Sequence, residues 1–321
     1  MKAIVYTEYG PPEVLQIKDV PKPRPKDDEV LVQIYATTVN RTDTGFRSAK
    51  YLVSRLVTGL KGPRKPIAGS EFAGKVIEAG ADVTNFKVGD KVFGFEDVRS
   101  GAHAEYLATA AGGSIAKMPD GFSYQELAPA GEGATYAISI IKSVGIGKGQ
   151  RVLVYGASGA IGSAAVQIVK YLGAEVTAVC GTKNVNLMRS IGADRVIDYE
   201  KEDFTKKAEG TFDLVLDTVG KSSYGACKKL LSPKGTYCPA ELGHHGQNPL
   251  LAIWFAITGS RKVIFPIPKI NKETMEYIKQ LIESGAYKPV IDKMYPLDQI
   301  IEATKYVESG QKTGNVVIKI V

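Results

Sequence analysis

Two styles of hydrophobic patterning divide this chain. From Lys2 to about residue 118, apolar positions come in short runs: Lys2–Tyr6, Leu15–Val20, Glu29–Val39, Glu71–Ala79, Lys91–Phe95 and Ala104–Ala108. They are broken by Gly10-Pro11-Pro12, by Pro21, Pro23 and Pro25, and by Val88-Gly89-Asp90. Short β-rich runs between turn residues predict strands. With no long helical period, they predict a small, mainly antiparallel barrel. Residues 40–68 depart from this. Asn40-Arg41-Thr42-Asp43 opens a helix-prone, loop-rich excursion, and long segments of this kind on a β scaffold often carry function.

From about Tyr124 the spacing changes. Tyr124–Val144 reads as helices separated at Gly131 and Gly133. The clearest stretch is Arg151–Gly173. Val152-Leu153-Val154-Tyr155 is an apolar run suited to a strand buried on both faces. Ile161, Ala165, Ile168, Val169 and Leu172 then recur at helical spacing. Strands at Glu175–Cys180, Arg195–Ile197, Phe212–Asp217, Gly235–Pro239 and Lys262–Phe265 alternate with helices at Asn184–Ile191 and Ser222–Leu231. That alternation predicts a doubly wound parallel sheet with right-handed connections. Asn271 caps a further helix, with Met275, Ile278, Leu281 and Ile282 on one face and Gly285 as its stop. The first style returns at the end, with a strand at Val290–Met294, a helix at Leu297–Val307 and a strand at Asn315–Val321. The predicted fold is therefore α/β. Residues 1–120 and 286–321 form a β-rich domain, and residues 121–285 form a parallel-sheet domain inserted into it.

Bulk properties narrow the function. A chain of 321 residues has room for two cores. The opening MKAIVYTEYG has no signal-peptide pattern. The longest apolar run, Pro249–Thr258, is about half of what a membrane span needs. No membrane partner is expected, and the expected compartment is the cytoplasm. The net charge of +7 suits an anionic ligand. It is spread along the chain with no basic block, which argues against nucleic acid. Three scattered cysteines, Cys180, Cys227 and Cys238, form no disulfide framework. Without a CxxC or HxxxH pair, no metal site is expected either.

The candidate chemistry sits on the Arg151–Gly173 stretch. Gly156, Gly159 and Gly162 fall between a predicted strand and a predicted helix, spaced G-x-x-G-x-x-G. Glycines let the backbone approach a pyrophosphate, and the free N–H groups and dipole of a helix start favour an anion there. Gly156, Ser158, Gly159, Ala160, Ile161 and Gly162 form this seat, Ser158 adding a hydroxyl. Enzymes that use NAD on such a fold carry an acid at the end of the second strand, for the ribose 2′-hydroxyl. Here that strand ends Val179-Cys180-Gly181-Thr182-Lys183, with no carboxylate and a lysine suited to a 2′-phosphate. Gly181, Thr182 and Lys183 therefore read as the ribose end of an NADP(H) site. Val219, in Asp217-Thr218-Val219-Gly220, is expected on the adenine side, and Leu242, in Glu241-Leu242-Gly243, near the nicotinamide ribose.

The motifs in order resemble the medium-chain dehydrogenase/reductase superfamily, in its zinc-free NADPH:quinone oxidoreductase-like branch. The resemblance runs over the whole chain. It rests on KAIVYTEYGPPEVL at the start, VNRTD at 39–43, GSEFAGKVIEAG at 69–80 and FKVGDKVFGF at 86–95. It continues in GASGAIGSAAVQIVK at 156–170, IGADRVIDYEKEDF at 191–204, FDLVLDTVGK at 212–221 and TGNVVIKI at 313–320. It implies a GroES-like catalytic domain and a Rossmann domain, with Tyr199 beside the 2′-phosphate and Thr135 and Asn315 as further cofactor residues. Zinc-dependent relatives carry a cysteine where this chain has Asn40 and a histidine where it has Ser70, and the four-cysteine lobe of their structural zinc is missing. Asn40 is thus expected to face the reacting centre and orient a carbonyl, with Tyr51 as a hydrogen-bond or proton donor. His103 reads as structural, and His244 and His245 as loop histidines.

The sequence thus points to an NADPH-dependent reductase of quinones or α,β-unsaturated carbonyls, acting without metal. An alcohol or ketone reductase and a non-enzymatic NADPH-binding protein, serving regulation or RNA contact, remain the alternatives. Relatives pair through an edge of the Rossmann sheet, which implies a homodimer through Lys262–Pro268.

Overall fold

The computed structural model describes residues 1–49, 55, 58–96, 101–243 and 246–320. They divide into two units. The first comprises Met1–Glu132, Ile270–Ser284 and Pro289–Val321, and the second Gly133–Lys269 and Gly285–Lys288. The helix at Lys272–Glu283, which sequence order groups with the inserted domain, falls in the first unit.

The chain begins with β1 (Lys2–Val5) and β2 (Gln16–Asp19), an antiparallel pair. Then come β3 (Glu29–Val39), β4 (Glu71–Ala79), β5 (Lys91–Phe95), β6 (Tyr106–Ala110) and β7 (Ile115–Lys117). β3 spans eleven residues and pairs antiparallel with both β4 and β6. A register shift falls between Ile34 and Ala36, where Gly74 opposes Ile34. A Cβ on Gly74 would lie 2.1 Å from the Gln33 carbonyl oxygen, so only glycine admits that approach. Val30, Val32, Ile34, Phe72, Val76, Phe86, Val92 and Ile115 close one core of this unit. Burying such side chains contributes about 1.5–3 kcal/mol each.

The second unit holds β8 (Arg151–Tyr155), β9 (Glu175–Cys180), β10 (Arg195–Asp198), β11 (Phe212–Asp217) and β12 (Leu231–Pro239). They form one parallel sheet in the order β10-β9-β8-β11-β12. Val152, Leu153 and Val154 are fully buried, as their unbroken apolar run required. The order reverses at β8, so the carboxyl end of β8 is the switch point where such sheets take ligands. The predicted strand at Lys262–Phe265 is a single parallel bridge from Val263 to Tyr237. Pro266 and Pro268 follow at once and cannot donate to a ladder. The predicted helix at Ser222–Leu231 shrinks to one turn, Tyr224–Cys227, followed by a 3-10 turn, because Leu231 already pairs with Phe212.

The helix Gln247–Ile257 is apolar on two sides. Leu251, Ala252 and Phe255 pack on the core of the sheet. Leu250, Ile253, Trp254 and Ile257 face outward, Trp254 at 62% exposure.

The chain then returns to the first unit. β13 (Ile291–Pro296) runs parallel to β14 (Asn315–Lys319), joined through the helix Ile300–Glu308, and β14 pairs antiparallel with β3. The C-terminal strand thus completes the sheet that β3 begins. The helix Lys272–Glu283 buries Met275, Ile278, Leu281 and Ile282, and Asn271 Oδ1 accepts from Thr274 N–H at 3.0 Å. Asn271→Ala should cost about 1 kcal/mol. Urea unfolding should show a lower midpoint with an unchanged slope.

Candidate functional site

The glycine turn closes at the end of β8. Gly156 has φ +80°, a conformation only glycine takes cheaply. A Cβ there would lie 2.6 Å from Val219 Cγ1, so Val219, half-exposed after β11, packs directly on the turn. On Gly162 a Cβ would meet the Gly156 carbonyl oxygen at 2.3 Å, so this glycine lets helix Ala160–Tyr171 sit against the strand end. On Gly159 it would meet nothing closer than Gly156 O at 3.5 Å. The second glycine therefore opens onto space rather than protein, as a cradle for a ligand requires. Gly159 is the N-cap and offers no side chain. The first intrahelical bond is Ser163 N–H to Gly159 O, so the N–H groups of Ala160, Ile161 and Gly162 precede the ladder and suit an anion. Ser158 lies half-buried in the turn itself.

Two neighbours complete this end of the sheet. Asp217 is fully buried at the end of β11 and accepts from Val219, Gly220 and Ser222 N–H and from the Tyr237 hydroxyl, at 2.8–3.1 Å. It holds the loop that carries Val219. Gly133 packs on the helix start, where a Cβ would lie 2.7 Å from Ala160 O. Two residues on, Thr135 is completely buried and its hydroxyl has no hydrogen-bond partner among the described residues. A buried orphan hydroxyl is costly unless a ligand uses it. The open cradle and this hydroxyl both fit a bound dinucleotide.

Beyond β9, Gly181 is buried, Thr182 and Lys183 are exposed, and Tyr199 is half-exposed with its hydroxyl 3.2 Å from where a Gly181 Cβ would stand. The strand end itself has no carboxylate, as its sequence shows. Its parallel neighbour β10 ends in one, Asp198, and the turn after it carries another, Glu200. Asp198 is the register partner of Cys180 and accepts from Thr182 Oγ1 at 2.7 Å. Glu200 Oε1 lies 2.5 Å from the Gly181 Cβ position. Sequence reasoning missed both because it looked only along β9. The signal was the matched C-terminal ends of two consecutive parallel strands.

The remaining candidates are placed individually. Leu242 is half-buried, and its carbonyl accepts from Asn248 N–H at 3.1 Å, which pins the loop after β12. Asn315 is buried in the first unit, with its side-chain amide donating to Val290 O at 3.0 Å. Tyr51, His244 and His245 lie outside the described residues.

In the first unit, Asn40 is buried and caps helix Arg41–Ser48. Its Oδ1 accepts from Asp43 N–H at 2.8 Å, and Asp43 Oδ2 accepts from Asn40 N–H at 3.1 Å. The amide Nδ2 donates to Ser70 Oγ at 2.8 Å and reaches Glu71 Oε2 only at 3.4 Å. Glu71 is fully buried. Its Oε1 accepts from Gly131 and Glu132 N–H at 3.0 and 2.7 Å, and its Oε2 from Thr38 Oγ1 at 2.6 Å. Glu132, also buried, accepts from Thr42 Oγ1. Burial raises all three carboxyls, Asp43 to about 7, and the charge of Glu71 adds to the rise at Glu132. Burial lowers the Lys312 ammonium, against the pull of Glu132. His103 is buried and pushed down to about 4 by burial, and its Nε2–H donates to Thr38 O at 2.6 Å. Its 3.8 Å approach to Asp43 is therefore a contact of a neutral ring, not an ion pair.

The chain matches two family models. "Alcohol dehydrogenase GroES-like domain" covers residues 26–120, and "Zinc-binding dehydrogenase" covers 191–318. It is 31% identical to a chloroplastic quinone-oxidoreductase homolog of Spinacia oleracea, over 99% of this chain and 98% of that one. The chain belongs to the medium-chain dehydrogenase/reductase superfamily. Within it, this protein falls in the quinone oxidoreductase-like branch. A 2-methylene-furan-3-one reductase of Solanum lycopersicum is also 31% identical, over 99% of this chain and 79% of that one. A mycobacterial protein solved in complex with NADPH superposes with a TM-score of 0.82 at 28% identity, over 100% of both chains. The zinc that one family description names does not fit this site. Asn40 has spent its acceptor oxygen on the Asp43 N–H, Ser70 takes the amide, and His103 donates its Nε2–H to a carbonyl. No thiolate or free imidazole stands at these positions, and the described residues hold no group of three metal-ligating side chains.

The acid network predicts a pH dependence. Glu71, Glu132 and Asp43 bind protons more tightly folded than unfolded. Their contribution to stability is complete below the usual carboxylate range and is lost as pH rises through about 7 to 8. His103 works the other way: its contribution holds above 6.5 and is lost as pH falls toward 4. Between pH 6 and 9 these carboxyls should cost the fold on the order of 2 kcal/mol, offset in part by the buried Lys312, whose folded ammonium releases its proton more readily. Glu132→Gln should flatten that slope in chemical unfolding followed by circular dichroism.

Proposed function

We propose that this protein is an NADPH-dependent oxidoreductase that reduces a quinone or an α,β-unsaturated carbonyl without a metal. The observation that carries the reading is the open cradle at the switch point, where Gly159 faces space ahead of unpaired helix N–H groups. The names of the relatives support both acceptor classes, and the mycobacterial neighbour supports the cofactor. Bound there, the reduced nicotinamide supplies hydride. The chain's own residues bind and orient. Ala160, Ile161 and Gly162 N–H, with the helix dipole, take the pyrophosphate charge. Lys183 and Tyr199 stand at the ribose end, Val219 and Leu242 border the seat, and Thr135 offers its orphan hydroxyl.

Asn40 is the residue we assign to the substrate carbonyl, and Tyr51 the candidate hydrogen-bond or proton donor. Of the two bonds the Asn40 amide makes, the one to Glu71 is the longer at 3.4 Å, and this weaker donor position is the one we assign to a substrate oxygen. The reduced product needs one proton besides the hydride, and water can deliver it. Most of the rate then comes from holding donor and acceptor together. We also read the protein as cytoplasmic, and as a homodimer through the sheet edge beyond β12. That reading is consistent with three buried free cysteines and with Val263 bridging to Tyr237 at the edge. Among the described residues, no helix is long and apolar enough to cross a membrane.

Loss of reduced-nicotinamide absorbance with a panel of quinones, enones, ketones and aldehydes tests the reading. Consumption with a quinone or enone, unchanged after chelation, is expected. Turnover of ketones or aldehydes alone would favour an alcohol-type reductase, and tight NADPH binding with no turnover would favour a binding protein. Asn40→Ser keeps a capping oxygen and removes the amide donor. It should lower kcat about tenfold to a hundredfold, read well below a thermal midpoint that itself falls with the loss of the amide's bonds to Ser70 and Glu71. A dimeric mass by ultracentrifugation is the expected oligomeric result.

A further inference from the structure

The ribose end of the cradle carries a charge that an NADPH site does not call for. Gly181 leaves β9 where a dinucleotide's adenosine ribose is held in folds of this class. Two carboxylates reach it from the end of β10, and their situations differ. Asp198 is committed: its Oδ2 accepts from Thr182 Oγ1 at 2.7 Å and stands 3.4 Å from Lys201 Nζ, and its Oδ1 accepts from Glu200 N–H at 3.1 Å. The Glu200 carboxylate has no hydrogen bond or ion pair among the described residues. It is exposed, and its Oε1 stands 2.5 Å from the position a Gly181 Cβ would take. Only the missing side chain of Gly181 leaves it that room. An uncommitted acceptor at this point is what the 2′-hydroxyl of an NAD-type cofactor uses, although it arrives one strand later than usual.

We propose that Glu200 is a selectivity-determining residue: it accepts the ribose 2′-hydroxyl of NADH and opposes the 2′-phosphate of NADPH. Lys183 and Tyr199 favour the phosphate, so the protein accepts both dinucleotides and strongly excludes neither. This rests on the dinucleotide reading above and deepens it. A carboxylate and a phosphate a few ångströms apart in solvent repel by enough to change an affinity about tenfold, and salt screens the effect.

Isothermal titration of the purified protein with NADPH and with NADH, no acceptor present, tests this without turnover. The wild type should bind both, with dissociation constants within about tenfold of each other. Glu200→Gln should shift their ratio toward NADPH by about tenfold, Glu200→Lys should shift it further, and high salt should shrink both shifts. Lys183→Ala should move the ratio toward NADH. Ratios unchanged within a factor of two in both Glu200 variants, with the wild type binding dinucleotide, would overturn the role of Glu200 alone. A wild type that binds neither dinucleotide would overturn the proposed function, and this inference with it.

Discussion

A carboxylate buried out of reach of water has to be given partners or a proton, and the first unit is built around one such group. Glu71 sits at the start of β4 with no exposure. Its two oxygens collect the backbone N–H groups of Gly131 and Glu132, the hydroxyl of Thr38 and the amide of Asn40. Those donors come from β3, from the cap of the first helix and from the segment that leads out of the β domain. One side chain thus ties the Thr38–Asn40 stretch to the distant Gly131-Glu132 segment, and removing it would leave several buried donors unpaired at once. The same residue explains why Asn40 is so constrained. Its amide serves Ser70 and Glu71, while its oxygen closes a capping box with Asp43.

The second unit solves a different problem, that of bringing backbone close to backbone and then leaving a gap. Gly156 and Gly162 are required by contacts made inside the protein, whereas a side chain on Gly159 would meet almost nothing. A motif that looks uniform in sequence therefore contains two structural glycines and one that leaves open space where the proposed cofactor would lie. Asp217 plays the supporting part, since its four donors fix the loop whose Val219 presses on Gly156.

Periodicity alone made the two-part layout legible, because a fully buried parallel strand and a half-buried antiparallel one leave different patterns. It marked Val152–Tyr155, the glycine turn and the apolar face of helix Lys272–Glu283. It did not show that the helix belongs with the first unit, because an amphipathic face does not say what it packs on. It overextended Lys262–Phe265, where flanking prolines cut a strand to one bridge. The candidate site was legible where residues adjacent in sequence form it, as at Gly156–Gly162. It was hidden where register decides, as with Asp198 and Glu200 beside Gly181, or where a partner lies sixty residues away, as with Glu132 and Glu71.

The outward face of helix Gln247–Ile257 has a practical bearing on how this molecule is observed. Trp254 is the one indole in the chain, and 62% of it already meets solvent in the folded state. Intrinsic emission excited at the indole band therefore reports on a single surface helix. It begins near the wavelength it will have after denaturation, so a fluorescence trace can stay flat while both cores melt, or change when only that helix frays. A signal summed over the backbone follows the folding of the whole protein, and the indole is better kept as a local probe of whatever comes to cover that helix.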